Sequence, residues 1–325
     1  GIAQAILKEC VGLDCLAPVA AFDPHPQNLS KVVGEFGCEP EESFESLLER
    51  KGVQAVLLSA PPTIRPAQAI AAARAGKAVF SEKPLALSVA EGRRVVEACR
   101  EAGSPLMVGQ VLRYFGGFGR LADHVLSGAL GKPLMVESRR YGPPFPANYR
   151  DAWRLRKGNS GGLLFEVHVH ELDYSRHLCG NPISVFAKSR RVGTDPETDY
   201  EDLHVGIIEF GSGAFGQFHF SQISPRGETC VTVFCERGVA WAGFASARWK
   251  GWDGEEAEVP ILEAHEEPAY RKELRLFAEA VLRGEPMPIT GEDGLWAVAM
   301  AEGFERSATR GEAVEVRGVF QGSDT

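Results

Sequence analysis

The sequence predicts an α/β chain in two parts. Residues 1–113 read as a doubly wound parallel sheet covered by helices, and residues 114–325 as an α+β part with an open, mostly antiparallel sheet. Three observations carry this. Short apolar runs alternate with helical stretches up to about residue 113, the rhythm of a parallel sheet buried on both faces. Strand-like runs then follow one another from about 183 to 244, with a hairpin signal at Gly211-Ser212-Gly213. The length of 325 residues, finally, suits two domains of about 150 residues each.

The elements follow in order. Ile2/Ile6 and Ala3/Leu7 form an i, i+4 stripe, so 2–9 is a helix. VAAFD (19–23) reads as a buried strand, 27–36 as a helix, and Ser43 as the N-cap of SFESLLER. VQAVLLS (53–59) and KAVF (77–80) are strands around a helix at 66–75. Ser88 with Glu91 predicts a capping box for a helix at 89–102, and PLMVG (105–109) closes the series. Beyond it come a helix at 118–128, a strand at 134–141 and a long helix at 162–179. Strands at 183–190, 203–210, 213–224, 228–235 and 238–244 precede helices at 267–283 and 292–310. The polar tail QGSDT reads as frayed.

Composition removes several function classes. Hydrophobic residues make up 44% and charged residues 24%, which excludes a disordered or collagen-like chain. With 44 acidic and 35 basic residues the net charge is −9, and no clustered basic face offers a footprint for nucleic acid or an acidic membrane. No apolar run reaches the roughly 18 residues of a membrane helix, and GIAQAILKEC lacks the pattern of a secretory signal. The seven cysteines are odd in number and contain no CxxC pair, so reduced thiols, a cytoplasmic setting and no metal site are expected. Cys230 and Cys235, five apart in a strand, should face opposite sides of a sheet.

Three segments carry chemistry. Gly1-Ile2-Ala3 opens a helix, and Asp23 lies about 20 residues after Ala3 at a strand end. That is the spacing between the last small residue of a dinucleotide fingerprint and the acid that binds the adenosine ribose. On this placement the first strand and two leading glycines, roughly 10 residues, lie ahead of Gly1. Asp23 also fits a plain surface turn before Pro24. The second segment is Ser81-Glu82-Lys83-Pro84, directly after a strand, where ligands sit in open α/β sheets. Lys83 there could stabilise an alkoxide, as hydride removal from an alcohol requires, or be a solvated lysine at a helix entry. The third is the run from Gly161 to Asp173. On a helix Glu166 and His170 are i, i+4 neighbours, the arrangement of an oriented general base, and Asp173 could reach the same face. His168 points about 200° away from His170, so it is expected to act separately or to be a satisfied core histidine.

These segments, with LLSAPPTIRPAQAIAAARAGKAVFSEKPLALS, LMVGQVLRYF and SATRGEAVEV, resemble the Gfo/Idh/MocA oxidoreductases over nearly the whole chain, from Gly1 to about residue 317. The resemblance implies a Rossmann dinucleotide-binding domain followed by an open-sheet domain. It implies Lys83 at the reacting hydroxyl, His170 as the acid/base and Glu166 as the carboxylate that orients it, although aspartate is commoner at that position. It places His168 where glycine is common. It implies cofactor contacts from Gly1, Ile2, Ala3, Asp23, Ser59, Ala60, Pro61, Glu82, Lys83 and Gln110. Tyr149, Trp153 and Arg154 become substrate contacts, and Arg113 a brace at the domain junction.

The resulting expectation is an NAD-dependent oxidoreductase moving a hydride between nicotinamide and a secondary hydroxyl of a sugar, sugar derivative or cyclitol, with NADP the poorer cofactor. A homodimer or homotetramer is expected by analogy. Two other readings stay open: a glycoside-cleaving enzyme that retains NAD and oxidises transiently, and a non-catalytic regulator that binds sugar or NADH on the same fold.

Overall fold

A computed structural model describes residues 2–145, 153–193, 197–252, 254, 256–260 and 267–322. The first part runs α1 (Ile2–Cys10), β1 (Ala20–Ala21), α2 (Pro26–Phe36), β2 (Glu39–Pro40), α3 (Phe44–Glu49), β3 (Ala55–Leu58), α4 (Arg65–Arg74), β4 (Ala78–Glu82), α5 (Val89–Glu101) and β5 (Leu106–Gly109). Every strand pair among these is parallel. β1 and β2 form one sheet, and β3, β4 and β5 a second in that order. β4 is buried along all five residues, as a central parallel strand covered on both faces must be. Ser43 caps α3 with a full capping box, closed by Ser46. At α5 the expected box is half made: Ser88 accepts from the Glu91 amide, while the Glu91 carboxylate turns to Arg94.

The second part begins with a 3-10 turn at Val111–Tyr114, then α6 (Gly116–Leu126) and β6 (Pro133–Tyr141). A 3-10 turn at Trp153–Leu155, α7 (Lys157–Ser160), a π-helical turn at Leu164–His168 and α8 (Val169–Cys179) follow. The strands are β7 (Pro182–Arg190), β8 (Leu203–Phe210), β9 (Phe215–Ser221), β10 (Glu228–Cys235), β11 (Gly238–Ala242), β12 (Ser246–Gly251) and β13 (Ala257–Pro260). α9 (Ala269–Arg283), α10 (Gly291–Arg310), β14 (Val314–Glu315) and α11 (Val316–Gln321) close the chain. The nine strands form one sheet in the order β13-β12-β11-β10-β6-β9-β8-β7-β14. Its pairs are antiparallel except β6 with β9.

The sheet packs one face on α8 and α10, where Val185, Ile208, Phe218, Phe220, Val231 and Val233 are buried. The other face presents Phe186, Val205, Ile207, Phe215 and Phe234 to solvent. Cys235 lies on the buried side of β10 and Cys230 on the opposite one, as their spacing requires. Burial pushes the Cys179 thiol up to about 12 and the Cys10 and Cys99 thiols to about 11, which keeps them protonated.

Two departures from the sequence reading matter. The helix expected at 162–179 is present, but residues 164–168 of it wind as a π turn, entered through Gly161 and Gly162, both with φ above +70°. A Cβ on Gly161 would stand 2.6 Å from Phe165, so the chain needs glycine there to turn into the π segment. The edge strands β13 and β14, and β12 beside β13, were not foreseen. SARWKG carries only two apolar residues, Ala247 and Trp249, and two-residue β14 is too short to show alternation.

Candidate active site

The parallel order of β3, β4 and β5 brings three loops to one edge. Ser59, Ala60 and Pro61 follow β3, Lys83 follows Glu82 at the end of β4, and Gln110 follows β5. Asp23 stands two residues beyond β1, and its Oδ1 accepts a hydrogen bond from the His25 amide at 2.8 Å. Ile2 and Ala3 open α1. Gly1 and Tyr149 lie outside the described residues. α5 begins only at Val89, so Lys83 is not at a helix entry. Arg65, 3% exposed, anchors the turn from behind by donating to the Pro84 carbonyl at 2.6 Å. Burial lowers its pKa to about 10 against the pull of Glu82 and Glu166.

Several polar groups at this edge have no partner among the described residues. They are both amide atoms of Gln110, which is 1% exposed, and Oε1 of Glu82. Buried polar atoms are normally bonded, so these point to a polar ligand. A nicotinamide carboxamide carries both a donor and an acceptor, and the amide and carboxylate atoms here fit it. Behind them Glu273 of α9 is fully buried, with neither oxygen bonded among the described residues. Burial, then Glu82 and Asp173, push its carboxyl well above the ordinary range. Among the described residues no group of three or more His, Cys, Asp or Glu side chains could hold a metal ion.

The segment from Glu166 to Asp173 faces Lys83. The Lys83 ammonium donates to the Glu166 carbonyl. Burial lowers the His170 pKa well below its ordinary value, and the Lys83 charge adds to that, so the ring is neutral. His170 Nδ1 is buried without a partner among the described residues.

Here the structure corrects two expectations. Glu166 does not orient His170: its Oε1 accepts from Arg154 Nε at 2.7 Å, and the Arg154 guanidinium lies 4.4 Å from the Trp153 ring centre. Asp173 does not reach His170 either, but takes two bonds from Arg113, at 2.7 and 2.6 Å. The i, i+4 argument assumed a continuous α-helix, whereas residues 164–168 form a π turn that winds more residues per turn and shifts the register. The histidine that meets a carboxylate is His168. Its Nδ1 lies 3.7 Å from Glu171 Oε2, and Arg140 Nη1 donates to Glu171 Oε1 at 2.7 Å. Burial pushes the Glu171 carboxyl up, but Arg140 and the two histidines pull it further down, to about 2. Arg65, Arg140, Glu171 and Glu273 were not singled out from sequence; only Glu171, three residues from His168, offered a spacing signal.

Comparison with known proteins fits this geometry. Residues 2–110 match a family model described as an oxidoreductase family with an NAD-binding Rossmann fold. Residues 118–241 match the GFO/IDH/MocA C-terminal domain. A 1,5-anhydro-D-fructose reductase of Ensifer adhaerens is 30% identical over 84% of this chain and 83% of its own length. A myo-inositol 2-dehydrogenase of Thermotoga maritima is 29% identical over 93% and 91%. The crystal structure of a probable dehydrogenase from Thermotoga maritima superposes with a TM-score of 0.83 at 25% identity, covering 98% of this chain and 97% of that one.

Proposed function

The chain belongs to the Gfo/Idh/MocA oxidoreductases, and from that premise we propose how this NAD-dependent enzyme, which acts on CH–OH groups, divides its work. Residues 1–113 hold NAD and residues 114–325 carry the substrate side. The substrate is a sugar, sugar derivative or cyclitol, in keeping with the relatives named above. Bound NAD supplies the nicotinamide that accepts the hydride. In the oxidative direction His170 takes the hydroxyl proton and Lys83 stabilises the alkoxide that forms. Ile2, Ala3, Asp23, Ser59, Ala60, Pro61, Glu82 and Gln110 line the cofactor. Trp153 and Arg154 contact substrate, and Glu166 positions Arg154 rather than His170. The observation that carries this reading is the placement of Lys83 directly after β4, where its ammonium donates to the Glu166 carbonyl on the turn that leads to His170. The test is NADH formation, read by absorbance, over a panel of cyclitols, hexoses and anhydrosugars. Absence of turnover across such a panel, with NAD bound, would count against it.

Cofactor choice follows from Asp23. Its carboxylate suits a ribose 2′-hydroxyl and repels a 2′-phosphate. NAD should bind at least about tenfold more tightly than NADP, roughly 1.4 kcal/mol. Calorimetry on both cofactors checks this, and Asp23→Ser should narrow the gap. Equal dissociation constants in the unsubstituted protein would remove Asp23 from the ribose.

The apolar outer face of the nine-stranded sheet is where a second copy would pack, in a cytoplasmic homodimer or homotetramer. Phe186 and Ile207 are register partners on it, both more than 40% exposed. A contiguous patch of this kind marks an interface. Light scattering should give a mass that is a multiple of the single-chain mass, and the Phe186→Glu, Ile207→Lys double variant should fall to the single-chain mass. A single-chain mass for the unsubstituted protein would refute the interface.

A further inference from the structure

A cavity of about 430 Å³ opens beside the π turn, walled by β6, β9 and β10. That is within the range of small-molecule sites, about 300–1,000 Å³. Arg140, Phe145, His168, Gln222, Thr229 and Phe244 line it. Of these, His168 is the residue without an explanation. It is 1% exposed, and neither ring nitrogen has a hydrogen-bond partner among the described residues. An unmet polar group so deeply buried is costly unless a ligand meets it.

The surroundings fix its chemistry. The ring lies flat on Phe220, with centroids 4.1 Å apart and planes 5° from parallel, so it cannot swing freely. On one edge stands the Glu171 carboxylate, itself held by Arg140. A carboxylate accepts and does not donate, so the proton belongs on Nδ1 and Nε2 is left as an acceptor. Burial is the main reason the ring stays neutral; Glu171 opposes it, while Arg140 and Lys83 reinforce it. His168 lines the cavity and lies two residues before His170 in the chain.

Building on the dehydrogenase reading above, we propose that His168, oriented by Glu171, accepts a hydrogen bond from a hydroxyl of a neutral carbohydrate that extends past its reacting ring into this cavity. The walls suit a neutral sugar, because the charges that line them are already paired: Arg140 is bonded to Glu171, and Glu228 pairs with Arg139 and Arg226. The Gln222 amide and the Thr229 and Ser221 hydroxyls suit further sugar hydroxyls, and Phe145 and Phe244 suit the C–H faces of a second ring.

The experiment compares single-ring probes, myo-inositol and D-glucose, with two-ring probes, maltose and cellobiose. Each is tested for NADH formation and, on the NAD-loaded protein, for saturation-transfer contact by NMR. His168→Phe keeps the stack and loses the acceptor; His168→Gln keeps an acceptor. In the unsubstituted protein at least one two-ring probe should give saturation transfer. His168→Phe should weaken that probe about 10–100-fold, in KM rather than kcat where it turns over, and leave the single-ring probes within about twofold. His168→Gln should recover part of the loss. Equal loss for one-ring and two-ring probes, no loss for either, or no two-ring binding to the unsubstituted protein would each overturn the proposal. If no probe yields NADH while two-ring binding remains sensitive to His168, the dehydrogenase reading fails and the carbohydrate subsite stands. Circular dichroism confirms that both variants are folded.

Discussion

His170→Ala should lower turnover by about 10²–10⁴-fold while leaving NAD affinity nearly unchanged, the usual effect of losing a positioned general base. Lys83→Met should lose a comparable factor, since it removes the charge that stabilises the alkoxide and keeps much of the side-chain length. The two are coupled through the pH profile. Burial and Lys83 hold His170 neutral. A neutral base is the active form for oxidation, so kcat/KM should stay level well below the ordinary imidazole range and fall only as pH drops through the depressed pKa. Removing the Lys83 charge takes away the largest influence lowering that pKa after burial, with Arg140 and His168 still acting in the same direction. The acid limb of the remaining activity in Lys83→Met should therefore move to higher pH. Glu166→Gln should behave differently from both. Its carboxylate holds Arg154, not His170, so the variant should raise KM and leave the pH profile in place. Steady-state kinetics on an active sugar or cyclitol, over pH, checks all three. Activity in His170→Ala together with none in His168→Ala would move the acid/base role to His168.

The parts of this site that could be read from sequence are those fixed by local rules. Lys83 follows a buried apolar strand, and strand ends in parallel sheets face the ligand crevice, so its place needed no knowledge of packing. Ser43 and Gly211-Ser212-Gly213 act through neighbouring backbone and were legible for the same reason. The partners of Glu166, His168 and Asp173 were not. Each depends on whether one segment winds as α or π, and that is decided by two glycines at positive φ and by packing against β6 and α10. Arg113, Arg140 and Arg154 come from distant segments, at separations of 60, 31 and 12 residues from their carboxylates. Periodicity reports which face of an element is apolar and says nothing of which charge from elsewhere arrives there.

Asp173→Ala should destabilise the fold by about 3–5 kcal/mol, the largest stability effect expected in this molecule. Asp173 is fully buried on α8, and Arg113 is buried on the 3-10 turn after β5; the two share a bidentate contact. Burial works against the Arg113 charge, but the Asp173 carboxylate more than offsets it and holds the guanidinium's pKa above its ordinary value. Truncating Asp173 would leave that cation buried and short of its main partner. Asp293 stands 3.6 Å from Arg113 and already binds Arg176 at 2.5 Å, so it can offset only part of the loss. The result should lie above what an exposed ion pair contributes, about 0–1 kcal/mol. The double variant Arg113→Met, Asp173→Leu should recover much of the stability, because an apolar pair of similar volume avoids desolvating two charges. It should not recover all of the activity. The same contact ties the turn that follows Gln110 to the helix that carries His170, so it sets the distance between the cofactor edge and the base. Chemical denaturation of the three proteins, followed by circular dichroism, measures the effect. An unchanged midpoint in Asp173→Ala would mean that the pair contributes nothing net, and that packing of α8 against α10 and β6 alone holds His170 in place.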